Sequence, residues 1–152
     1  MAFASMAATH AVDPTELASL IERLDLSDGG FDVVVEAVGH PATIQIAMDV
    51  TRIGGMTALV GMAPTGCKVP FDPFMFTAQE KILAGSMYGS ADPAVTAAEV
   101  MDQVAAGSIV LDQMLGPEYA LDQIEEGIAM ALRSSEGRVL ILPGNAAPDD
   151  RR

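Results

Sequence analysis

A chain of 152 residues is long enough for one domain with an apolar core. Its composition, with 50% hydrophobic and 19% charged residues, is that of a globular rather than a disordered protein. The net charge of −13 makes nucleic acid and anionic membrane surfaces poor partners, because their phosphate groups would be repelled. The single cysteine excludes a disulfide framework and a thiolate zinc site. The apolar start is too short for a signal peptide or a membrane span, so we expect a cytoplasmic protein.

The chain begins with a predicted strand at residues 9–12, followed at once by a helix. Asp13 can accept a hydrogen bond from the first helical turn, Pro14 suits the first helical position, and Glu16 completes a capping box. The buried face of this helix is predicted to be Leu17, Leu20, Ile21 and Leu24, whose spacing is helical.

Residues 31–38 (FDVVVEAV) are a β-branched run with almost no alternation, which is typical of a strand buried on both faces of a parallel sheet. Pro41 begins the next predicted helix, and Gly54-Gly55 ends it. Its predicted apolar stripe is Ala42, Ile46, Val50 and Ile53. Glu36 is interpreted as a structural carboxylate with hydrogen-bond partners, and His40 as a surface turn residue.

Further predicted elements follow along the chain. They are strands at 56–60 and 82–88, an extended piece at 68–71, a helical turn at 74–80, a helix lined by Val95, Ala98, Met101 and Ala105, a helix lined by Leu121, Ile124, Ile128 and Leu132, a strand at 139–142 and a disordered tail at 144–152. The alternation of strands and helices predicts an α/β fold, with helices on both faces of a parallel sheet.

Three segments together resemble the medium-chain, zinc-type, NAD-dependent alcohol dehydrogenases. They are FDVVVEAVG at 31–39, GGMTALVGMAP at 54–64 and EKILAGSMYG at 80–89, and the similarity extends over about residues 8–142. The resemblance implies a partial Rossmann fold, in which 9–12, 31–38, 56–60 and 82–88 are strands three to six of the order 3-2-1-4-5-6 and strands one and two are missing. It implies a partial dinucleotide-binding domain at 1–111 and a helix and strand at 112–143 that return toward the catalytic domain.

The resemblance also implies the positions that contact NAD. They are Val38 and Gly39 beside the adenosine, Val60, Gly61 and Met62 along the nicotinamide riboside, Ser86, Met87 and Tyr88 at the carboxamide, and Arg138 near the pyrophosphate. Ligands of open α/β sheets bind outside the carboxyl ends of the strands, which agrees with this assignment. Each position also has a structural interpretation: the valines and methionines as core, the glycines as turns, Tyr88 as a packed strand terminus, and Arg138 as a solvated cation at a helix end.

Two features of the family do not occur in these 152 residues. The pattern G-x-G-x-x-G is not found, and one cysteine with two histidines offers no zinc site. By the resemblance, both would precede Met1, and no catalytic or metal-binding residue is predicted here.

The sequence therefore predicts a truncated oxidoreductase that resembles the cofactor-binding half of an alcohol dehydrogenase. We expect it to be inactive alone and to bind NAD weakly or not at all. The alternative is a non-catalytic interaction subunit that pairs with a chain supplying the missing strands; a methyltransferase-like domain is a third interpretation of the FDVVV strand. The unpaired edge of residues 31–38 also predicts a homo-oligomer.

Overall fold

The computed structural model describes residues 8–26, 29–133 and 137–144. Within these ranges the chain forms two compact units, residues 12–96 and residues 8–11 with 97–144. The helices are Leu17–Arg23 (α1), Pro41–Asp49 (α2), Pro73–Ala78 (α3), Pro93–Ala105 (α4) and Ile124–Arg133 (α5), and the strands are Phe31–Glu36 (β1), Thr51–Leu59 (β2), Ile82–Gly85 (β3), Leu115–Ala120 (β4) and Arg138–Leu142 (β5). None of these helices is long and apolar enough to cross a membrane.

The first unit is built on a three-stranded parallel sheet with the order β1-β2-β3. Parallel neighbours need a crossover connection, which α2 supplies between β1 and β2 and α3 supplies between β2 and β3. This is the order predicted for strands four, five and six, and the α/β class with a parallel sheet is confirmed.

Helix α2 packs against β1 and β2 and covers one face of the sheet. It buries Ile44, Ala47 and Met48 there. Beneath it, the Thr51 hydroxyl donates to the Ala47 carbonyl at 2.7 Å and lies 2.7 Å from the Thr57 hydroxyl. The buried polar atoms of this face are therefore paired with one another, as burial requires.

The other face of β1 is open. Val33 and Val35 are 59% and 61% exposed, so the prediction of a strand buried on both faces is wrong. The register places Val33 beside Met56 of β2 and Ile82 of β3, and the side chain of Ile82 is also exposed. One face of the sheet packs on α2, while the opposite face presents apolar side chains.

The second unit contains β4, α5 and β5 as one parallel β-α-β motif. Gly127 of α5 is buried, and a Cβ atom added to it would lie 2.6 Å from Cδ1 of Ile141 and 3.3 Å from the ring of Tyr119. The absence of a side chain at Gly127 lets the helix approach both strands. Strand β4 was not predicted, because Gly116-Pro117 in its middle resembles a turn signal.

Four strand predictions need correction. Strand β1 ends at Glu36 rather than at residue 38, because the main chain turns there and the N–H groups of Val38 and Gly39 donate to the Glu36 carboxylate. Residues 9–12 form no strand, because none of the strands in the described ranges lies beside them to pair with them. Strand β3 ends at Gly85 rather than at residue 88, because its partner strand β2 ends at Leu59, opposite Gly85. Strand β2 begins at Thr51, so Gly54-Gly55 lie inside it and do not end a helix.

The glycine pair forms an irregularity in β2. The register with β1 shifts between Phe31 and Val33. Gly54 has φ +69°, and a Cβ atom on Gly55 would lie 3.0 Å from the Asp32 carbonyl oxygen. Glycine at both positions lets β2 bulge against its neighbour, so this pair belongs to strand geometry rather than to a helix end.

The predicted helix stripes are also corrected. Helix α2 ends at Asp49, and the residues it buries differ from the predicted set: Ala42 and Ile46 are exposed, and Ile53 lies exposed in β2. The predicted stripes of α4 and of the last helix are exposed as well, at Val95, Ala98, Met101, Ala105, Leu121, Ile124, Ile128 and Leu132. Periodicity identified these helices correctly, but the apolar faces that it predicted are exposed.

Two other predictions have different outcomes. Residues 68–71 contain neither helix nor strand, and the predicted helical turn is α3. The predicted disordered tail lies outside the described residues except for Gly144. The proposed domain boundaries stay a prediction.

Candidate cofactor-binding site

Most of the predicted cofactor positions follow the carboxyl ends of three neighbouring strands. Val38-Gly39 follow β1, residues 60–62 follow β2, and residues 86–88 follow β3. Because the strands are parallel and adjacent, these positions lie at one edge of the sheet, where open α/β sheets bind ligands. Arg138 begins β5 in the second unit, and its role beside a cofactor stays a prediction.

Glu36, the last residue of β1, organises the turn that follows the strand. Its carboxylate is buried, with 4% of the residue exposed. Oε1 accepts hydrogen bonds from the N–H of Val38 and of Gly39, both at 2.9 Å, and from the Thr43 hydroxyl at 2.7 Å. The interpretation of Glu36 as a structural carboxylate with partners is confirmed.

The ionisation of Glu36 reflects these partners. Burial raises the pKa of its carboxyl, but the Thr43 hydroxyl and the backbone N–H groups of Gly39, Val38 and His40 lower the pKa by more. The pKa of Glu36 therefore lies below its ordinary value, and the group is a carboxylate at neutral pH. It is an acceptor for the turn and carries no proton to transfer.

The ends of β1 and β2 touch through their main chains. The Glu36 carbonyl accepts from the N–H of Val60 at 2.8 Å and from that of Gly61 at 2.9 Å. Gly39 has φ +79°, and a Cβ atom there would lie 2.5 Å from the Met62 carbonyl carbon. A Cβ atom on Gly61 would lie 2.6 Å from the Val38 nitrogen. The turn and the close approach require both glycines, so a contact of either with a cofactor stays a prediction.

The end of β3 is tied to β2 and then turns sharply. The Ser86 N–H donates to the Leu59 carbonyl at 2.9 Å. Tyr88, Gly89 and Ser90 have φ values of +50°, +72° and +58°, which is the left-handed region. For residues with a Cβ atom this conformation costs about 1–2 kcal/mol each. The turn presents Tyr88 to solvent, so its interpretation as a packed strand terminus is wrong.

Large apolar side chains are exposed at this edge of the sheet. The apolar rim, as we name it, consists of Val38, Val60, Met62, Met87 and Tyr88, which are 45–79% exposed. The interpretation of the two valines and two methionines among them as core residues is wrong. An exposed apolar group beside glycine-rich strand ends is the surface that an aromatic ring of a ligand can cover.

The hydrogen-bonding groups at the edge limit what it can bind. The N–H groups of Val38, Gly39, Val60, Gly61 and Ser86 all donate to protein oxygens. Recognition of a phosphate by the main chain needs N–H groups that point at the ligand. These five N–H groups already donate hydrogen bonds within the protein. The edge therefore fits the ring-bearing part of a nucleotide better than its phosphates. Over the described ranges, no group of three or more His, Cys, Asp or Glu side chains could hold a metal ion.

Sequence reasoning missed two residues that build the edge. His40, correctly placed in a surface turn, also caps α2, since its Nδ1 accepts from the Ala42 N–H at 3.2 Å. Thr43 joins α2 to Glu36 and also donates to the His40 carbonyl at 2.8 Å. A polar residue directly before Pro41 was the signal for the cap; nothing in the sequence pairs Thr43 with Glu36.

Comparisons with known proteins agree with this fold. The sequence matches the family model for zinc-binding dehydrogenases over residues 2–106. Sorbitol dehydrogenase of Bacillus subtilis is 30% identical over 129 residues, which are 84% of this chain and 35% of that protein. The chain thus spans about a third of the length of the curated relatives it matches.

Solved structures give the same result. Benzyl alcohol dehydrogenase of Acinetobacter calcoaceticus has a TM-score of 0.79 at 24% identity, covering 92% of this chain and 38% of that one. A structure from Sinorhizobium meliloti 1021, described as a zinc-binding dehydrogenase bound to NADP, has a TM-score of 0.70 at 28% identity, covering 90% and 40%. The predicted resemblance to the cofactor-binding part of zinc-type alcohol dehydrogenases is confirmed, and the chain belongs to the zinc-binding dehydrogenase family.

Proposed function

We propose that this chain forms part of the cofactor-binding half of an NAD-dependent, zinc-type alcohol dehydrogenase and contributes one wall of the nicotinamide site. In the family it resembles, zinc polarises the alcohol and the nicotinamide accepts a hydride. The observation that carries the proposal is the meeting of three parallel strand ends at one sheet edge, where the apolar rim is exposed. The family membership and the NADP-bound relative support the choice of a nicotinamide dinucleotide.

The residues of this chain would form the wall of the nicotinamide site and would not take part in the reaction themselves. The apolar rim would cover one face of the ring and exclude water from it. Carbonyl oxygens at the ends of β2 and β3 would accept from the carboxamide, because the neighbouring N–H groups of Gly61 and Ser86 already donate within the protein. Arg138 as a partner of the pyrophosphate is part of the same proposal.

We expect no alcohol dehydrogenase activity from this chain alone. It contains no G-x-G-x-x-G pattern, and one cysteine with two histidines does not make the family's zinc cluster. Zinc- and NAD-dependent oxidation of a simple alcohol by the purified chain would contradict this expectation. The predicted cytoplasmic location stays a prediction.

Titration of the isotope-labelled full chain with NAD, followed by amide NMR shifts, tests the site. Without a phosphate loop, we expect a dissociation constant on the order of millimolar or weaker. Shifts should be confined to the residues that follow β1, β2 and β3. Val38→Asp should remove them, whereas the matched Val95→Asp on α4, also at an exposed valine, should leave them in place.

Two results would contradict the site assignment. One is the absence of shifts at the sheet edge when shifts occur elsewhere. The other is a micromolar dissociation constant that Arg138→Ala abolishes, because it would mean that phosphate binding dominates.

A non-catalytic interaction subunit is the second candidate function. It is favoured by β1, which is an edge strand of its sheet and exposes Val33 and Val35. A partner chain, or a second copy of this one, would pair with that edge. A neighbouring reading frame that encodes zinc ligands and G-x-G-x-x-G would favour the first candidate; its absence would favour the second.

A further inference from the structure

Glu36 is bonded to both strand ends that carry the proposed site. Its side chain holds Val38 and Gly39, while its main-chain carbonyl holds Val60 and Gly61. The Thr43 hydroxyl bonds the same carboxylate oxygen at 2.7 Å and thereby attaches the first turn of α2. One buried residue thus joins a strand, a turn, a helix and the end of the neighbouring strand.

The carboxylate holds the main chain beneath the apolar rim and is itself buried. Glu36 is 4% exposed, so its side chain is almost closed to a ligand in solution. The Gly39 main chain packs directly on the main chain of Met62, where a Cβ atom would lie 2.5 Å from the carbonyl carbon. A displacement of Gly39 must therefore move or release Met62, whose side chain belongs to the apolar rim.

We propose that Glu36 is a positioning residue, whose side chain sets the spacing between residues 38–39 and residues 61–62 at the cofactor-facing edge. The ligand that this spacing serves rests on the proposed function; the spacing itself does not. If the carboxylate is removed, the N–H groups of Val38 and Gly39 and the Thr43 hydroxyl lose a shared buried acceptor. The Thr43 hydroxyl keeps the His40 carbonyl at 2.8 Å, but the two N–H groups need new partners, so the turn must reorganise to supply them.

The test compares Glu36→Ala and Glu36→Gln with a matched control, Thr51→Val. Thr51 also forms buried hydrogen bonds in the same unit, but it lies at the amino end of β2, away from the proposed edge. All three variants keep the main-chain carbonyl of residue 36. Any change at Val60 or Gly61 in Glu36→Ala therefore reports the loss of the Glu36 side chain.

The first readout is amide hydrogen exchange of the ligand-free chain. In Glu36→Ala we expect exchange about tenfold faster or more at Val38 and Gly39 than at β3 amides, because these two lose bonds to a charged acceptor. Exchange should also quicken at Val60 and Gly61, because their bonds to the Glu36 carbonyl depend on the same spacing. Glu36→Gln keeps one acceptor oxygen and should stay within about threefold of the original chain. Thr51→Val should speed exchange without preference for these residues.

The second readout is NAD binding by NMR titration. We expect Glu36→Ala to raise the dissociation constant for NAD, measured from the shifts at the edge, about tenfold. Glu36→Gln should retain most of the binding of the original chain. A dissociation constant much weaker than millimolar would leave the original chain without shifts at up to about 10 mM NAD. In that case the exchange readout alone decides the role of Glu36.

Two outcomes would overturn the proposal. One is faster exchange at Val38 and Gly39 with Val60 and Gly61 unchanged. The other is a Glu36→Ala pattern that cannot be told from that of Thr51→Val. If Glu36→Ala does not fold, Thr43→Val replaces it, because it removes one donor with little change of shape. A smaller increase at both strand ends would then support the proposal, and no increase at residues 60–61 would overturn it.

Discussion

Gly39 and Met62 lie in main-chain contact, so close that a Cβ atom on Gly39 would stand 2.5 Å from the Met62 carbonyl carbon. Gly39 also has φ +79°, a conformation that disfavours any side chain. Two independent reasons therefore demand glycine at this position.

Gly39→Ala is expected to lower the free energy of unfolding by about 3 kcal/mol or more, since it adds both a collision and backbone strain. Gly66→Ala is the control, because Gly66 has φ +83° but nothing within 4 Å of the added methyl. It should cost only about 1 kcal/mol. Urea unfolding followed by circular dichroism measures both, and equal losses would contradict the close approach.

The acid stability of the chain should depend on Glu36. Its pKa in the folded state lies below the ordinary value of 4.5. The ionised group therefore stabilises the fold above about pH 4.5, and this contribution is lost as the pH falls through the folded-state pKa. Urea unfolding of Glu36→Gln between about pH 6 and pH 3 should show a weaker pH dependence than the original chain.

Asp13 provides the comparison for this measurement. Hydrogen bonds from Thr15 also lower the pKa of Asp13, but the residue is exposed. Asp13→Asn should change the pH dependence less, because solvent screens an exposed charge. If the free energy of unfolding of Glu36→Gln changes with pH in parallel with that of the original chain, the assignment of the acid sensitivity to Glu36 is contradicted.

Self-association should proceed through the free edge and open face of β1. We expect the chain to be oligomeric when well folded, and partly molten when monomeric, because β1 is an edge strand with exposed Val33 and Val35. Val33→Lys should reduce the mass measured by light scattering. Val95→Lys, on α4 and with similar exposure, should not. A compact monomer that melts cooperatively, with all β1 amides protected from exchange, would contradict the prediction.

In the second unit, Gly127 sets how closely α5 approaches β5. Gly127→Ala should cost about 1–3 kcal/mol, because the new methyl would meet Cδ1 of Ile141. Ile141→Val alone should cost about 0.5–1.5 kcal/mol, but it removes that carbon and should restore stability in the Gly127→Ala background. Additive losses in the double variant would show that the two residues do not compete for space.

Local signals in the sequence predicted the elements that depend on neighbouring residues. The capping box of Asp13 and Glu16 is present, with the Thr15 N–H donating to Asp13 at 2.9 Å, although it begins a 3-10 turn that leads into α1. Pro41 begins α2 as predicted. The β-branched run of β1 was likewise accessible, because propensity and capping act over short stretches of chain. The order of the parallel strands was expected from the family resemblance.

The tertiary structure alone decided which surfaces are covered and which residues meet. Helical periodicity marked Leu121, Ile124, Ile128 and Leu132 as one face, yet that face is exposed, since a stripe is buried only where another element lies against it. Glycines 54 and 55 resembled a helix end and proved to be a bulge, because the irregularity depends on the approach of β1. The predicted site positions did reach one sheet edge, but the residue that joins them, Glu36, acts through groups up to 25 residues away in the chain. Sequence determined the local geometry of this protein, whereas contacts between distant segments determined its site, because such contacts exist only after the chain has folded.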